Sequence, residues 1–202
     1  MELLLVSDLH RDLDAARSIV ERAAGVDVVV GAGDFAVMRR GLQEVIDVLS
    51  DIDRPTVLVA GNGESPEELR DATRGWSGAH VLHGEAIEID GVAFFGLGGA
   101  VPVTPFGDWS YDLTESAAGA LLEACPEDAV LVSHSPPRGH VDRDGSGTSH
   151  GSTALLETIR TRHPRLVVCG HIHASWEERS IDGDTPIVNA GPAGVAWSLE
   201  ET

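Results

Sequence analysis

Five short apolar runs, each followed at once by carboxylate, amide or imidazole side chains, constrain this 202-residue chain most. Their length and content predict buried β-strands over residues 3–6, 28–30, 57–60, 130–132 and 166–169. The polar residues that follow them are Asp8, His10, Asp34, Asn62, His134, His171 and His173. Because ligands bind outside the carboxyl ends of the strands in α/β proteins, we expect one site at one edge of one sheet.

The joint occurrence of these strand ends carries more weight than any one of them. Asp8 and His10 lie two residues apart, so in extended backbone both side chains point the same way. His171 and His173 repeat that spacing, and two neighbouring imidazoles are costly to bury without a partner. A single pair could be a chance surface turn. Five blocks that all end strands favour a shared site over five unrelated turns.

The segments between the first three runs predict an α/β fold. Apolar positions at helical spacing indicate helices over residues 12–23 and 42–49. Ser65 followed by Pro66 marks the start of a third helix, with serine as its N-cap. The order of strand, helix, strand, helix and strand, with short connections, predicts a parallel sheet with helices on its faces.

The second half of the chain adds two further features. Asp90 and Gly91 signal a hairpin turn, which indicates a second, partly antiparallel sheet. The polar loop over residues 136–149 has no predicted element, so we expect it to be functional or mobile.

The polar residues at the strand ends are mixed nitrogen and oxygen donors with no thiolate. Such sets suit Mn, Fe, Zn or similar divalent ions, and we favour manganese. Seven donors are too many for one ion that must also bind water, whereas two ions that share one carboxylate use them all. Two divalent ions less two aspartates leave a positive centre, which would attract a phosphate ester.

The composition limits the kinds of partner that the chain can bind. It has 33 acidic residues and 14 basic residues, all of them arginine, for a formal charge of -19. A long nucleic acid would be repelled, although a small phosphate ester held by metal ions would not. The acidity fits either a saline cytoplasm or a bias in composition towards Arg, Ala, Gly and Val. The length suits a single domain over residues 1–202.

Cysteine usage and hydropathy indicate the compartment. Cys125 and Cys169 lie far apart, which predicts buried thiols rather than a disulfide framework or a zinc ribbon. No basic leader precedes the first apolar run, and no run approaches the roughly 18 apolar residues of a membrane span. We therefore expect a cytoplasmic protein with no membrane partner, while the oligomeric state stays open.

The order and spacing of the donor motifs resemble those of the calcineurin-like metallophosphoesterase superfamily. The motifs are Asp8-Leu9-His10, Gly33-Asp34, Gly61-Asn62, His134 and Gly170-His171-Ile172-His173. A closer likeness, to small single-domain phosphodiesterase-like members, is found in Ser133-His134-Ser135-Pro136-Pro137-Arg138-Gly139, His150-Gly151-Ser152 and Val188-Asn189-Ala190-Gly191. The resemblance spans nearly the whole chain and implies an α/β fold, a four-layer αββα sandwich of two mixed sheets flanked by helices.

The resemblance also implies which of the seven donors bind each of the two ions. By similarity Asp8, His10 and His173 hold the first ion, and Asn62, His134 and His171 hold the second. Asp34 bridges the two ions, and Asp34, Asn62 and His134 count as catalytic residues.

The activity that follows is a dimetal phosphoesterase that uses metal-bound hydroxide as its nucleophile. Phosphodiesters are the favoured substrates. The alternatives are a phosphomonoesterase, a nucleotide pyrophosphohydrolase, or a catalytically weak binding module on the same fold.

One departure from the family pattern concerns the proton for the leaving group. The family commonly places histidine and then an acid after Gly-Asn, whereas this chain has Gly63 and Glu64. General acid catalysis contributes roughly 10² to 10⁴ in rate, so the chain either favours good leaving groups or finds its proton elsewhere. The candidates for that proton are Arg11, His140 and His150.

Several other polar and aromatic residues have two interpretations. Glu64 either accepts a hydrogen bond from the residues around the site or caps the helix near Pro66. Arg138 either holds a phosphate oxygen or is a solvated loop residue. The aromatic side chains of residues 106–111 either stack on a ring of the substrate or pack their loop against the sheet, and we favour packing. Asn189 is expected to support the site from a turn.

Overall fold

Two mixed β-sheets form the centre of the computed structural model, which describes residues 1–200. The first sheet has the strand order β11-β1-β2-β3-β4 and the second has the order β5-β6-β7-β8-β10-β9. The strands are Glu2–Val6 (β1), Val28–Gly31 (β2), Thr56–Leu58 (β3), Ala79–Val81 (β4), Glu85–Ile89 (β5), Val92–Leu97 (β6), Val130–Ser133 (β7), Leu166–Cys169 (β8), Arg179–Asp182 (β9), Thr185–Asn189 (β10) and Val195–Ser198 (β11). Residues 201 and 202, at the end of the predicted domain, lie outside the described part.

Both sheets are parallel in the middle and antiparallel at an edge. In the first sheet β1 to β4 run parallel and β11 pairs antiparallel with β1. In the second sheet β6, β7, β8 and β10 run parallel, while β5 and β9 pair antiparallel at its two edges. The hairpin predicted at Asp90 and Gly91 is confirmed, since it joins β5 to β6.

Helices cover the outer face of each sheet. They are Leu13–Ala23 (α1), Leu42–Leu49 (α2), Pro66–Ala72 (α3), Glu115–Leu122 (α4) and Thr153–Arg162 (α5). Side chains from the first three pack on the first sheet, and those from the last two pack on the second. The predicted α/β sandwich of four layers is thereby confirmed. No helix of residues 1–200 is both long and apolar enough to cross a bilayer.

The core between the sheets explains why the strands are continuous apolar runs. Alternate residues of β1, such as Leu3 and Leu5, face the second sheet, while Leu4 and Val6 face the helices. Phe94 of the second sheet is fully buried in the layer between the sheets. A strand that is covered on both faces has no polar side, so its sequence shows no alternation.

The five strands that precede the polar residues do not share one sheet, so this part of the sequence prediction was wrong. β1, β2 and β3 belong to the first sheet, whereas β7 and β8 belong to the second. Their carboxyl ends nevertheless meet at one end of the sandwich, where His134 Nδ1 donates to Ala32 O and the His171 amide donates to Asp8 Oδ1. Apolar runs carry no signal that separates two packed sheets, because every central strand is buried in the same way.

Replacing Phe94 with alanine should lower the free energy of unfolding by about 3 to 5 kcal/mol, because the change empties space between the two sheets. The matched control is Phe106→Ala, whose side chain is 50% exposed and should change stability by no more than about 0.5 kcal/mol. Urea denaturation followed by circular dichroism measures both. Equal losses in the two variants would contradict the position of Phe94 in the core.

Candidate metal centre

The seven polar residues predicted from the strand ends converge in the structure. Asp8 and His10 follow β1, Asp34 follows β2, Asn62 follows β3, His134 follows β7, and His171 and His173 follow β8. The backbone turns sharply where they lie, with φ of 55° at Asp8, 57° at Asp34 and 67° at His171. These are left-handed conformations, which cost a side chain about 1 kcal/mol or more and concentrate at functional sites.

The donor atoms form two clusters. In the first, the Nε2 atoms of His10 and His173 lie 3.0 Å apart, and Asp8 Oδ1 is 3.9 Å from His10 Nε2 and 3.8 Å from His173 Nε2. In the second, His134 Nε2 lies 3.1 Å from Asn62 Oδ1 and 3.2 Å from His171 Nδ1. Two atoms that bind one ion at about 2.1 Å and at right angles lie about 3.0 Å apart, so both clusters fit a divalent ion.

Asp34 lies between the two clusters. Its Oδ2 atom is 3.6 Å from His10 Nε2 in the first, and its Oδ1 atom is 3.4 Å from His134 Nε2 in the second. The Gly63 amide donates to Oδ1 at 2.7 Å and fixes the carboxylate in this orientation. Each oxygen therefore faces a different cluster.

The second cluster brings hydrogen-bond acceptors together. His134 Nδ1 donates to Ala32 O at 2.8 Å, which turns Nε2 towards the site. Asn62 donates through Nδ2 to Ser110 Oγ at 3.0 Å, so its Oδ1 atom also faces inward. Acceptors that face one another repel unless a cation or a proton lies between them. The donor set therefore fits bound cations, and geometry groups Asp8, His10 and His173 as one metal-competent set and Asp8, Asp34 and His134 as another.

The protonation states of His171 and Asp34 agree with metal binding, whereas Asp34 and Asp8 outweigh burial and raise the pKa of His134, so an ion bound there would displace a proton. Burial, followed by the neighbouring His134, lowers the pKa of His171 to about 3, so this imidazole is neutral. Burial raises the pKa of Asp34, but His134 and His10 together with the Gly63 amide outweigh burial and hold that pKa below its usual value. Neutral imidazole and ionised carboxylate are the forms that bind metals.

Glycine is required at two of the strand ends by the close approach of a carboxylate. A Cβ atom on Gly61 would lie 2.0 Å from Asp34 Oδ1. A Cβ atom on Gly170 would lie 2.5 Å from Asp8 Oδ2. The Gly-Asn and Gly-His pairs of the sequence thus clear the space into which the two aspartates reach.

The two clusters open into a cleft of about 720 Å³. The loop over residues 102–109 forms one wall of it, where Phe106 and Trp109 stack with ring centroids 5.5 Å apart and planes 12° apart. Phe106 is half-exposed, so the expectation that these aromatic rings pack against the sheet was wrong for Phe106. Tyr111 does pack away from the cleft, with its hydroxyl 3.3 Å from His83 Nε2.

A family model described as the calcineurin-like phosphoesterase superfamily domain matches residues 1–202. The chain belongs to that superfamily. The resemblance seen in the motifs is therefore confirmed, and the family name indicates hydrolysis of phosphate esters.

Similar proteins agree with the membership in the calcineurin-like phosphoesterase superfamily. The UPF0046 protein K07C11.7 of Caenorhabditis elegans is 27% identical over 94% of this chain and 69% of its own length. The structure of TT1561 of Thermus thermophilus has a TM-score of 0.75, 19% identity, and coverage of 95% of this chain and 90% of that one. A dimetal phosphatase from Danio rerio has a TM-score of 0.65, 15% identity, and coverage of 100% and 93%. The two structures share the fold.

Glu64 organises the backbone beneath the centre of this phosphoesterase. It is fully buried and accepts from the amides of Asp34 at 2.9 Å, Ala36 at 2.9 Å and Gly61 at 2.8 Å. The alternative role in capping is filled by Ser65, whose side chain accepts from the Glu68 amide. Burial and the charge of Asp34 raise the pKa of Glu64 to about 7. Glu64 therefore holds in place the two segments that carry Asp34 and Asn62.

Sequence reasoning missed two residues that orient Asp8 and anticipated a third that supports the site. Ser7 Oγ donates to Asp8 Oδ2 at 2.6 Å, and Trp176 Nε1 donates to the same oxygen at 3.2 Å. The position of Ser7 beside Asp8 was a usable signal, but nothing in the sequence connects Trp176 to Asp8. Asn189 supports the site as expected, because its Nδ2 atom donates to Gly170 O and Ile172 O on either side of His171.

Replacing Glu64 with glutamine should lower the free energy of unfolding by about 2 to 4 kcal/mol, because the new NH₂ group would face backbone N–H groups and leave at least one unpaired. The matched control is Glu67→Gln, an exposed position three residues along the chain. Chemical denaturation of the metal-free protein measures both. A Glu64→Gln protein as stable as the Glu67→Gln protein would contradict the bracing role.

Proposed function

We propose that the protein is a dimetal phosphodiesterase. The observation that carries the proposal is the pair of donor clusters that share Asp34, one carboxylate oxygen to each. Asp8, His10 and His173 would hold one ion, and Asn62, His134 and His171 would hold the other. We favour manganese among the ions that suit mixed nitrogen and oxygen donors.

The residues of the chain orient the reaction. Two divalent ions bound here would acidify a water molecule for attack and neutralise the charge of the phosphate. The Asp34 carboxylate lies between the two donor clusters and sets their relative position, because the Gly63 amide holds that carboxylate by a hydrogen bond. Asn62 and His134 are each locked by a hydrogen bond, to Ser110 and Ala32 respectively, so their inward atoms need no rearrangement when substrate binds.

The lining of the cleft favours diesters over monoesters. Among the residues of the described chain that line it, none is arginine or lysine. Arg138, the candidate for a phosphate contact, is exposed and lies outside the lining. A monoester dianion would therefore find no side-chain cation, whereas the singly charged diester needs less neutralisation. The apolar wall around Phe106 offers contact to its second ester group.

The Asp34→Asn protein should lose manganese affinity by about 100-fold or more and show no measurable turnover, because the shared ligand has lost its charge. Calorimetry measures the metal, and release of 4-nitrophenol from bis(4-nitrophenyl) phosphate measures turnover. Asp90→Asn, in an exposed hairpin turn, is the matched control and should behave like wild type. Wild-type protein that binds metal but cleaves no ester would overturn the enzyme in favour of a binding module.

The Phe106→Ala protein should raise KM for bis(4-nitrophenyl) phosphate by about 10-fold, because a stacked ring contributes on the order of 1.4 kcal/mol to binding. Its kcat should stay within about twofold, since Phe106 does not touch the reacting atoms. Ile181→Ala removes an apolar side chain that is 67% exposed outside the cleft and serves as the control. An unchanged KM in Phe106→Ala would contradict the diester site.

A further inference from the structure

His150 and Asp144 form a hydrogen-bonded pair that lines the same cleft as the donor clusters. His150 Nε2 lies 2.7 Å from Asp144 Oδ2. Asp144 is itself held, because its Oδ1 atom accepts from Ser146 Oγ at 2.6 Å, from the Ser146 amide at 2.8 Å and from the Thr148 amide at 3.0 Å. A carboxylate fixed in this way sets the orientation of the imidazole beside it.

Residues 136–149 form no helix or strand, as expected, but the loop that carries the pair is braced. Arg143 and Ser149 form an antiparallel bridge, and the His150 amide donates to Asp142 O at 3.0 Å. The side chain of Asp142 is buried, and its Oδ2 atom accepts from the Gly139 amide at 2.8 Å and the Gly151 amide at 3.0 Å. His150 is therefore presented by a short hairpin that is tied at its base.

Among the described residues that line the cleft, every other titratable group belongs to a donor cluster, where it could not bind an ion and transfer a proton at the same time. The remaining titratable groups of the lining are His10, Asp34, His171 and His173, all of which belong to the clusters. The other lining residues are apolar, glycine, threonine or amide. The hydrolysis of an ester of a poorly acidic alcohol requires a proton for the departing oxygen, and the cleft offers it from this pair.

The other two candidates from the sequence lie elsewhere. Arg11 pairs with Glu44 at 3.1 Å, and His140 Nδ1 lies 3.2 Å from Ser180 Oγ. Neither lines the cleft. A side chain at Gly63 is also disfavoured in this chain, because its Cβ atom would lie 2.9 Å from Ala36 O.

We propose that His150 protonates the leaving oxygen of the phosphate ester and that Asp144 positions it. This inference rests on the proposed hydrolase function. The oxygen of a water molecule forms a bond to phosphorus, and the bond from phosphorus to the ester oxygen breaks. The ester oxygen keeps the electron pair and takes a proton from His150. The water releases one proton to solvent and His150 regains one, so the products are a phosphate monoester and an alcohol.

The electrostatics of the pair support this role. Hydrogen bonds from Ser146, His150 and Thr148 hold the pKa of Asp144 well below its usual value, so a fixed negative charge faces the imidazole. Within residues 1–200 the Nδ1 atom of His150 has no hydrogen-bond partner, which leaves it free for the ester oxygen.

The test compares leaving groups. His150→Gln should lower kcat/KM for an aryl phosphodiester that releases phenol or an alkyl alcohol by about 10² to 10⁴, and by less than about threefold when 4-nitrophenol leaves. Asp144→Asn should show the same dependence with a smaller loss. His140→Gln, on the same loop but outside the cleft, is the matched control and should lose nothing on either substrate.

Each outcome separates this inference from the proposed function. Equal losses on both leaving groups, or none on phenol, would overturn the role of His150 while the enzyme stands. No turnover of any ester by the wild-type protein would overturn both. A readout independent of turnover is the ¹⁵N resonance of the His150 imidazole in the zinc-loaded protein, which should shift when inorganic phosphate is added. Phosphate that binds without shifting it would also overturn the inference.

Discussion

The centre depends on one constraint, the convergence of lone pairs on a small volume. Asn62 Oδ1, His134 Nε2 and Asp34 Oδ1 face one another at about hydrogen-bond distance, and Asp34 and Asp8 outweigh burial and raise the pKa of His134. Their orientations are fixed from outside, by Ser110, Ala32 and the Gly63 amide. Burying several polar groups together is costly, and the stability gained in the core between the sheets offsets that cost. The positive charge of bound ions would relieve it.

The sequence was sufficient to name the residues that converge at the candidate centre and to predict most of the elements. Asp8, Asp34 and His134 each follow an apolar run directly, so the rule that ligands bind at strand ends locates them without coordinates. The assignment of strands to two sheets was out of reach, because residues such as Val30 and Val132 are buried alike whichever sheet they join. Trp176 lies 168 positions from Asp8, and no pattern of spacing connects two loops that meet only after folding.

The net charge of this chain does not help it to bind a phosphate ester. The formal charge of -19 would repel a phosphate ester from most of the surface, and the cleft lining of the described chain contains no basic side chain except imidazole. In the proposed enzyme, attraction of the substrate would therefore be left to ions held by the donors, and it would act over the screening distance of about 10 Å or less. Under the same proposal, selectivity among esters would depend on the shape of the wall formed by residues 102–109 and on the pair at Asp144 and His150.

Each donor cluster draws its members from both sheets of the sandwich. Asp8 and His10 follow a strand of the first sheet and His173 follows one of the second, while Asn62 and His134 are divided in the same way. Ions at this place would link two layers that are otherwise joined by apolar contact and by a few hydrogen bonds, such as that from His134 Nδ1 to Ala32 O. A ligand that binds only the folded state adds its binding free energy to the stability of that state. The free energy of unfolding would therefore vary with the concentration of metal. A shortage of metal in the cell would then lower the stability of the two-sheet fold as well as prevent catalysis.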